Sequence, residues 1–175
     1  ERNALVLVCR NCDSLWMPVG KGLRKLPFGV VQDPGPGGPR FPFWVVEADL
    51  TGIELKTLAD LARVANLPRV PRPEWSSRAF RFLIPAFRLR PETFLRAASS
   101  MTLTQPVLRA EKTLPKPGVL YPVTLSIHQA LASLVLILGD FMRPRGEAFS
   151  RLGDIRSGKK SFTLVFFPSR ETGHE

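Results

Sequence analysis

Proline and glycine recur along this sequence and limit the length of any regular element that it can form. The chain of 175 residues includes 17 prolines and 13 glycines, so about one residue in six favours a turn or interrupts a helix or strand. Proline and glycine are densest at residues 33–40. We expect a loop there, because these residues disfavour both helices and the hydrogen-bonded pairing of β-strands. We therefore expect short elements, with residues 1–32 as an N-terminal appendage and residues 41–175 as the main body.

The main body alternates apolar strand-like segments with short helices. Aromatic and β-branched residues predict strands at 41–50, 79–84 and 161–167, and a turn followed by a short strand is predicted at 51–56. Helix starts are marked by two capping boxes and a first-turn proline: Thr57 with Asp60, Ser126 with Gln129, and Pro91. The pattern predicts an α+β fold, in which one mainly antiparallel or mixed sheet carries about three short helices beside a small ribbon-like appendage.

The most informative short motif is the pair Cys9 and Cys12, which are separated by two residues. Strand-like segments lie on both sides of it, at residues 4–9 and 14–18. Two thiolates at this spacing on a tight turn can face one metal ion. In its strand, knuckle, strand layout the segment resembles one knuckle of a zinc ribbon. This resemblance implies that Cys9 and Cys12 are zinc ligands.

The ligand set in this chain is incomplete for a structural zinc ion, which takes four ligands. Cys9 and Cys12 are the only cysteines, and the two histidines, His128 and His174, do not have knuckle spacing. Three interpretations stay open: a second knuckle lies in a segment before Glu1, two chains share one metal, or the cysteines bind no metal. A thioredoxin-type redox pair is disfavoured, because Pro18 and Gly20 prevent the helix that such a motif opens.

The chain carries a formal net charge of +10, with 25 lysines and arginines against 15 acidic residues. Such an excess favours an anionic partner, either a protein or a nucleic acid, although a solvated basic surface without a ligand is the alternative. The basic clusters indicate candidate nucleic-acid-binding residues: Arg78, Arg81, Arg88, Arg90, Lys159 and Lys160. Oligomeric state is left open by the sequence.

Asp49, Glu54 and Lys56 form a candidate catalytic set. They resemble the Asp and Glu-x-Lys residues of Mg²⁺-dependent nucleases of the restriction-endonuclease type, in which the carboxylates hold the metal and the lysine helps to position water. The spacing between Asp49 and Glu54 is short for that class, and a Glu-x-Lys triplet also arises by chance.

Other catalytic arrangements have few candidates, because a nucleophile elbow is absent and one internal histidine cannot supply a convincing triad. No apolar run approaches the roughly 20 residues that span a bilayer, and no signal peptide is recognised. We therefore expect a cytoplasmic, non-enzymatic binding or scaffolding module within a larger protein. The alternative is a basic nucleic-acid-binding protein, including a Mg²⁺-dependent nuclease.

Overall fold

The structure is a computed structural model that describes residues 4–32, 38–65, 72–116, 119–142 and 151–169. Within these ranges the strands are β1 (Leu7–Cys9), β2 (Ser14–Val19), β3 (Gly22–Leu26), β4 (Phe28–Val31), β5 (Arg40–Thr51), β6 (Phe82–Pro85), β7 (Ala110–Glu111) and β8 (Arg156–Pro168). The helices are α1 (Leu58–Val64), α2 (Pro91–Thr104), α3 (Ile127–Ala132) and α4 (Leu134–Met142). These elements confirm the predicted α+β class.

The strands form two sheets. β1, β2 and β3 make a three-stranded antiparallel sheet in chain order. The larger sheet has the order β6-β5-β8-β4-β7, in which β4 and β8 are parallel and the other pairs are antiparallel. The larger sheet is therefore mixed, and its longest strands, β5 and β8, lie side by side.

The larger sheet is buried on both faces around its centre. Trp44 and Val46 of β5 belong to the main core on one face, whereas Phe43 and Val45 belong to a smaller apolar cluster on the other. This division follows from the pleat of a strand, which sends successive side chains to opposite faces. The long apolar run that predicted a strand at residues 41–50 is thus explained by burial on both sides.

Both predicted capping boxes are present. The Thr57 hydroxyl accepts from the backbone N–H of Asp60, and the Ser126 hydroxyl accepts from that of Gln129, with the reciprocal side-chain bonds also formed. The helix predicted after Ser126 is interrupted at Ser133, which separates α3 from α4 and donates its hydroxyl to the carbonyl of Ala130. A serine that bonds back to a preceding carbonyl competes with the helical pattern, which accounts for the division into α3 and α4.

The short strand predicted at residues 53–56 is not formed. Gly52 has a φ of +85°, and the chain then runs irregularly so that Leu55 enters the main core with 1% of its surface exposed. β3, β4 and β7 were not predicted, and β8 begins at Arg156, earlier than the predicted strand.

The predicted division between residues 1–32 and 41–175 stays a prediction, but the contacts across it can be described. β4 lies within residues 1–32 and pairs with β8 of the larger sheet. In the three-stranded sheet and the residues before it, Val6, Leu15 and Leu26 are buried in the same core cluster as Trp44. The cysteine-bearing hairpin is therefore packed directly on the main core.

Candidate functional site

The cysteine pair lies at the tip of the hairpin formed by β1 and β2. Cys9 ends β1, residues 10–13 form the turn, and Ser14 begins β2 directly opposite Cys9. Asp13 has a φ of 42°, a left-handed conformation that aspartate tolerates better than most residues. Cys9 is partly exposed, Cys12 is exposed, and both are free thiols. The turn therefore presents the two sulfur atoms near the surface.

Hydrogen-bond donors within the turn surround the sulfur of Cys9. The Cys12 side chain, followed by the backbone N–H groups of Cys12 and Asn11, lowers the pKa of the Cys9 thiol, and these bonds outweigh the opposing effects of desolvation and the Asp13 carboxylate. A thiolate rather than a thiol is the metal ligand. The Cys12 side chain and the turn backbone therefore shift Cys9 towards the form that binds metal.

The sulfur of Cys12 has a different partner, on the strand that follows. Its Sγ lies 2.7 Å from the Oγ of Ser14, and the indole N–H of Trp16 donates to the same Oγ over 2.9 Å. Ser14 has 0% of its surface exposed, although it adjoins an exposed turn. Ser14 and Trp16 were not predicted from the sequence to belong to the site. Their period-two spacing was the available signal, because alternate residues of a strand lie on one face.

The donor chemistry of this turn fits one half of a zinc site. Zinc prefers sulfur and nitrogen ligands in tetrahedral geometry, and Cys9 and Cys12 would supply two of the four. Among the residues that the structure describes, no group of three or more His, Cys, Asp or Glu side chains is placed to hold a metal. His128 is exposed in the first turn of α3, and His174 lies outside the described residues. A complete site would therefore need ligands in addition to the two cysteines.

The three residues of the nuclease hypothesis do not all line the cleft in which Asp49 lies. Asp49 lies on β5, whereas Glu54 and Lys56 lie in the irregular segment before α1. Asp49 and Lys56 line an open cleft of about 670 Å³, and Glu54 is not part of its lining. The convergence of both carboxylates on a metal ion stays a prediction.

The cleft next to Asp49 continues towards an ion pair that sequence analysis did not predict. Glu47 lines this cleft and a neighbouring one of about 270 Å³. Its carboxylate accepts from the Nε of Arg81 over 2.7 Å and from the hydroxyl of Ser161 over 3.3 Å. The pairing with Ser161 follows from the strand register, in which Glu47 lies opposite Ser161. One predicted nucleic-acid-binding residue, Arg81, is thus engaged with an acidic neighbour.

The other candidate basic residues are distributed around the larger sheet. Arg78 precedes β6 on the same side as Arg81, whereas Arg88 and Arg90 follow the opposite end of β6, and all four are exposed. Lys160 lies on β8 opposite Ala48 of β5. The side chain of Lys159 lies outside what the structure describes. A four-residue strand therefore separates two pairs of arginines that are close in sequence.

Comparisons with known proteins give no family assignment. No protein-family model matches the chain, and no curated protein or solved structure is significantly similar to it. Within the described ranges, no helix is long and apolar enough to cross a membrane.

Proposed function

We propose that this chain is a non-enzymatic binding or scaffolding module in which Cys9 and Cys12 supply two of the ligands of a shared structural zinc ion. The observation that carries the proposal is the hairpin tip that brings both thiols near the surface, where the Cys12 side chain bonds the Cys9 sulfur and Ser14 lies against the Cys12 sulfur. When bound, zinc would cross-link the turn to the polypeptide segment that provides the remaining ligands. Residues of this chain would bind and orient the ion, and no reaction step is required of them.

The surface beside the turn supports a binding role. β1 is an edge strand of its sheet, and Leu7 and Val8, directly before Cys9, are 49% and 45% exposed. An apolar groove of about 290 Å³ adjoins this strand and is also lined by Tyr121. Exposed apolar side chains next to an edge strand are typical of surfaces that another chain covers.

Zinc content provides the direct test. We expect the purified full-length protein to carry near-stoichiometric zinc by elemental analysis, and Cys9→Ser and Cys12→Ser each to abolish it. His128→Ala serves as the matched control and should leave zinc content unchanged, because His128 lies in α3 and not in the turn. All three variants should keep the circular dichroism spectrum of the wild type.

The stoichiometry also distinguishes the sources of the missing ligands. One zinc per two copies, together with a zinc-dependent dimer in analytical ultracentrifugation, would indicate a site shared by two chains. One zinc per monomer would indicate ligands from elsewhere in the same protein. Absence of zinc from fully reduced wild-type protein, or full zinc content in a Cys9→Ser/Cys12→Ser variant, would overturn the proposal.

A second candidate function is nucleic-acid binding, which the net charge of +10 favours. Arg88 and Arg90 are exposed close to each other at one end of β6. If they bind phosphates, Arg88→Ala/Arg90→Ala should lower RNA or DNA affinity and reduce the salt dependence of log K by about 0.9 for each duplex phosphate that is no longer neutralised. Arg63→Ala is the control, because Arg63 is paired with Asp60 at 3.3 Å.

The nuclease form of this candidate makes a separate claim about Asp49, Glu54 and Lys56. It requires Mg²⁺-dependent cleavage that Asp49→Asn and Glu54→Gln each abolish. Nucleic-acid binding without cleavage would support the binding function and exclude the nuclease activity. No measurable affinity for nucleic acid at low salt would exclude both functions.

The two free thiols also fit a cytoplasmic location, since the cytosol keeps cysteines reduced. Thiol labelling of the protein in intact cells, before and after reduction, tests this location. A disulfide between Cys9 and Cys12 in freshly labelled cells would contradict it.

A further inference from the structure

Ser14 is a buried polar residue that lies between two side chains with different hydrogen-bonding abilities. Its Oγ is 2.9 Å from the Nε1 of Trp16 and 2.7 Å from the Sγ of Cys12, and none of its surface is exposed. A buried hydroxyl needs hydrogen-bond partners, and these two supply them.

The direction of each hydrogen bond follows from the chemistry of the groups. An indole N–H can only donate, so the Oγ of Ser14 is the acceptor towards Trp16. The single hydrogen of the Ser14 hydroxyl is then available for Cys12. A metal-bound thiolate has no proton to donate, so in that state the bond must run from the Ser14 hydroxyl to the sulfur.

From this arrangement we propose that Ser14 is a positioning residue for the zinc site: oriented by Trp16, it donates a hydrogen bond to the Cys12 thiolate and fixes the direction of that ligand. The inference rests on the proposed function, since it describes how the same site is tuned. Metal ligands depend on such outer partners for both orientation and electron density.

The two cysteines differ in a way that makes the inference testable. In the metal-bound state Cys12 has no proton to donate, so the donors left to the Cys9 sulfur are the backbone N–H groups of Cys12 and Asn11. No side-chain substitution deletes these donors. The hydroxyl that supports Cys12 can be removed by Ser14→Ala, which leaves a small side chain in the same position. Ser14→Ala therefore tests what the hydrogen bond from the Ser14 hydroxyl contributes to Cys12 as a zinc ligand.

The first measurement is zinc affinity of the purified full-length protein by competition with a chromophoric chelator. We expect Ser14→Ala to weaken zinc binding by about 10- to 100-fold, the range typical of outer-partner substitutions. Trp16→Phe should act in the same direction, because it releases the orientation of the Ser14 hydroxyl. Trp16→Phe in the Ser14→Ala background should cause no further loss, since both substitutions break one chain of bonds.

A control and a spectroscopic signature separate this role from ordinary structural support. Ser133→Ala removes another buried serine, whose hydroxyl donates to the backbone of α3, and it should leave zinc affinity unchanged. In the Co²⁺-substituted protein, Ser14→Ala should move the sulfur-to-metal charge-transfer band to longer wavelength, because loss of the hydrogen bond raises the energy of the sulfur lone pair. Ser133→Ala should not move this band.

The outcomes distinguish failure of the inference from failure of the proposed function. Cysteine-dependent zinc binding with the same affinity and the same Co²⁺ spectrum in wild type and Ser14→Ala would overturn the role of Ser14 and leave the zinc module standing. No cysteine-dependent metal binding by the wild type would overturn both.

Discussion

Trp44 connects the centre of the larger sheet to the segment that leads into α3. It lies on β5 with 0% of its surface exposed, and its Nε1 donates to the backbone carbonyl of Leu125 over 3.0 Å. Its ring packs edge-to-face against Phe162 of β8, with the ring centroids 5.8 Å apart. The segment held in this way continues to the cysteine hairpin, because the carbonyl of Val123 accepts from the N–H of Leu5.

The substitution Trp44→Phe removes both the donor and part of the ring. Loss of the donor leaves the partly buried carbonyl of Leu125 without this partner, which costs about 1–2 kcal/mol, the lower part of the range for a buried group. The smaller ring gives up roughly two buried carbons at about 0.8 kcal/mol each. We therefore expect a loss of about 3 kcal/mol in the free energy of unfolding, a large share of the roughly 5–15 kcal/mol of a typical domain.

Urea unfolding followed by far-ultraviolet circular dichroism measures this loss without relying on tryptophan fluorescence. Trp75→Phe is the matched control, because Trp75 is only partly buried in the short turn Pro73–Ser76, and we expect it to cost less than about 1 kcal/mol. Equal destabilisation by the two substitutions would refute the assignment of Trp44 as the buried anchor.

Two further predictions concern the capping box at the start of α1 and the turn at Gly52. Asp60→Asn should lower stability by about 0.3–1 kcal/mol near neutral pH, because the amide keeps an acceptor oxygen but loses the negative charge at the N-terminus of α1. Desolvation raises the pKa of Asp60, but hydrogen bonds from backbone N–H groups and the Thr57 hydroxyl lower it more, so the folded pKa lies below the ordinary value. In the wild type this stabilisation should thus be present above about pH 3.9 and be lost as pH falls through the folded pKa. The variant should lack this pH-dependent loss in acid unfolding. Gly52→Ala should lower the free energy of unfolding by about 1 kcal/mol or more, because φ is +85° and a Cβ would lie 2.6 Å from the carbonyl oxygen of Asp154. Thermal melts measure this loss. Gly153→Ala is the control and should show no such loss, because its Cβ meets open space.

Local signals in the sequence predicted the parts of the fold that depend on neighbouring residues. The capping boxes at Thr57 and Ser126 were found because their partners lie three residues away. The pairing of β4 with β8 could not be found in this way, because it joins residues that are far apart along the chain, such as Phe28 and Leu164. The break at Ser133 is also not marked in the sequence, since apolar residues lie on both sides of it and mask the competing hydrogen bond.

The candidate site shows the same division between local and non-local information. The spacing of Cys9 and Cys12 was sufficient to predict a shared turn. Clustering of arginines in the sequence left their spatial arrangement open, and β6 places Arg81 and Arg88 at opposite ends of one strand. The partner of Arg81, Glu47, is 34 residues away and becomes a neighbour only through the alignment of β5 with β6.

The packing of the cysteine hairpin indicates what a bound metal would contribute to this protein. In small zinc modules the ion supplies the folding energy, because their apolar cores are too small. Here Val6 and Leu15 flank the turn on both sides and are buried in the main core, with 7% and 0% of their surfaces exposed. The hairpin is thus held by apolar contacts that do not involve the thiols, which is why the cysteine variants are expected to stay folded. Two cysteines on a hairpin that the core already holds, beside an exposed edge strand, fit the proposal that zinc would join this chain to another segment and would not be needed to fold it.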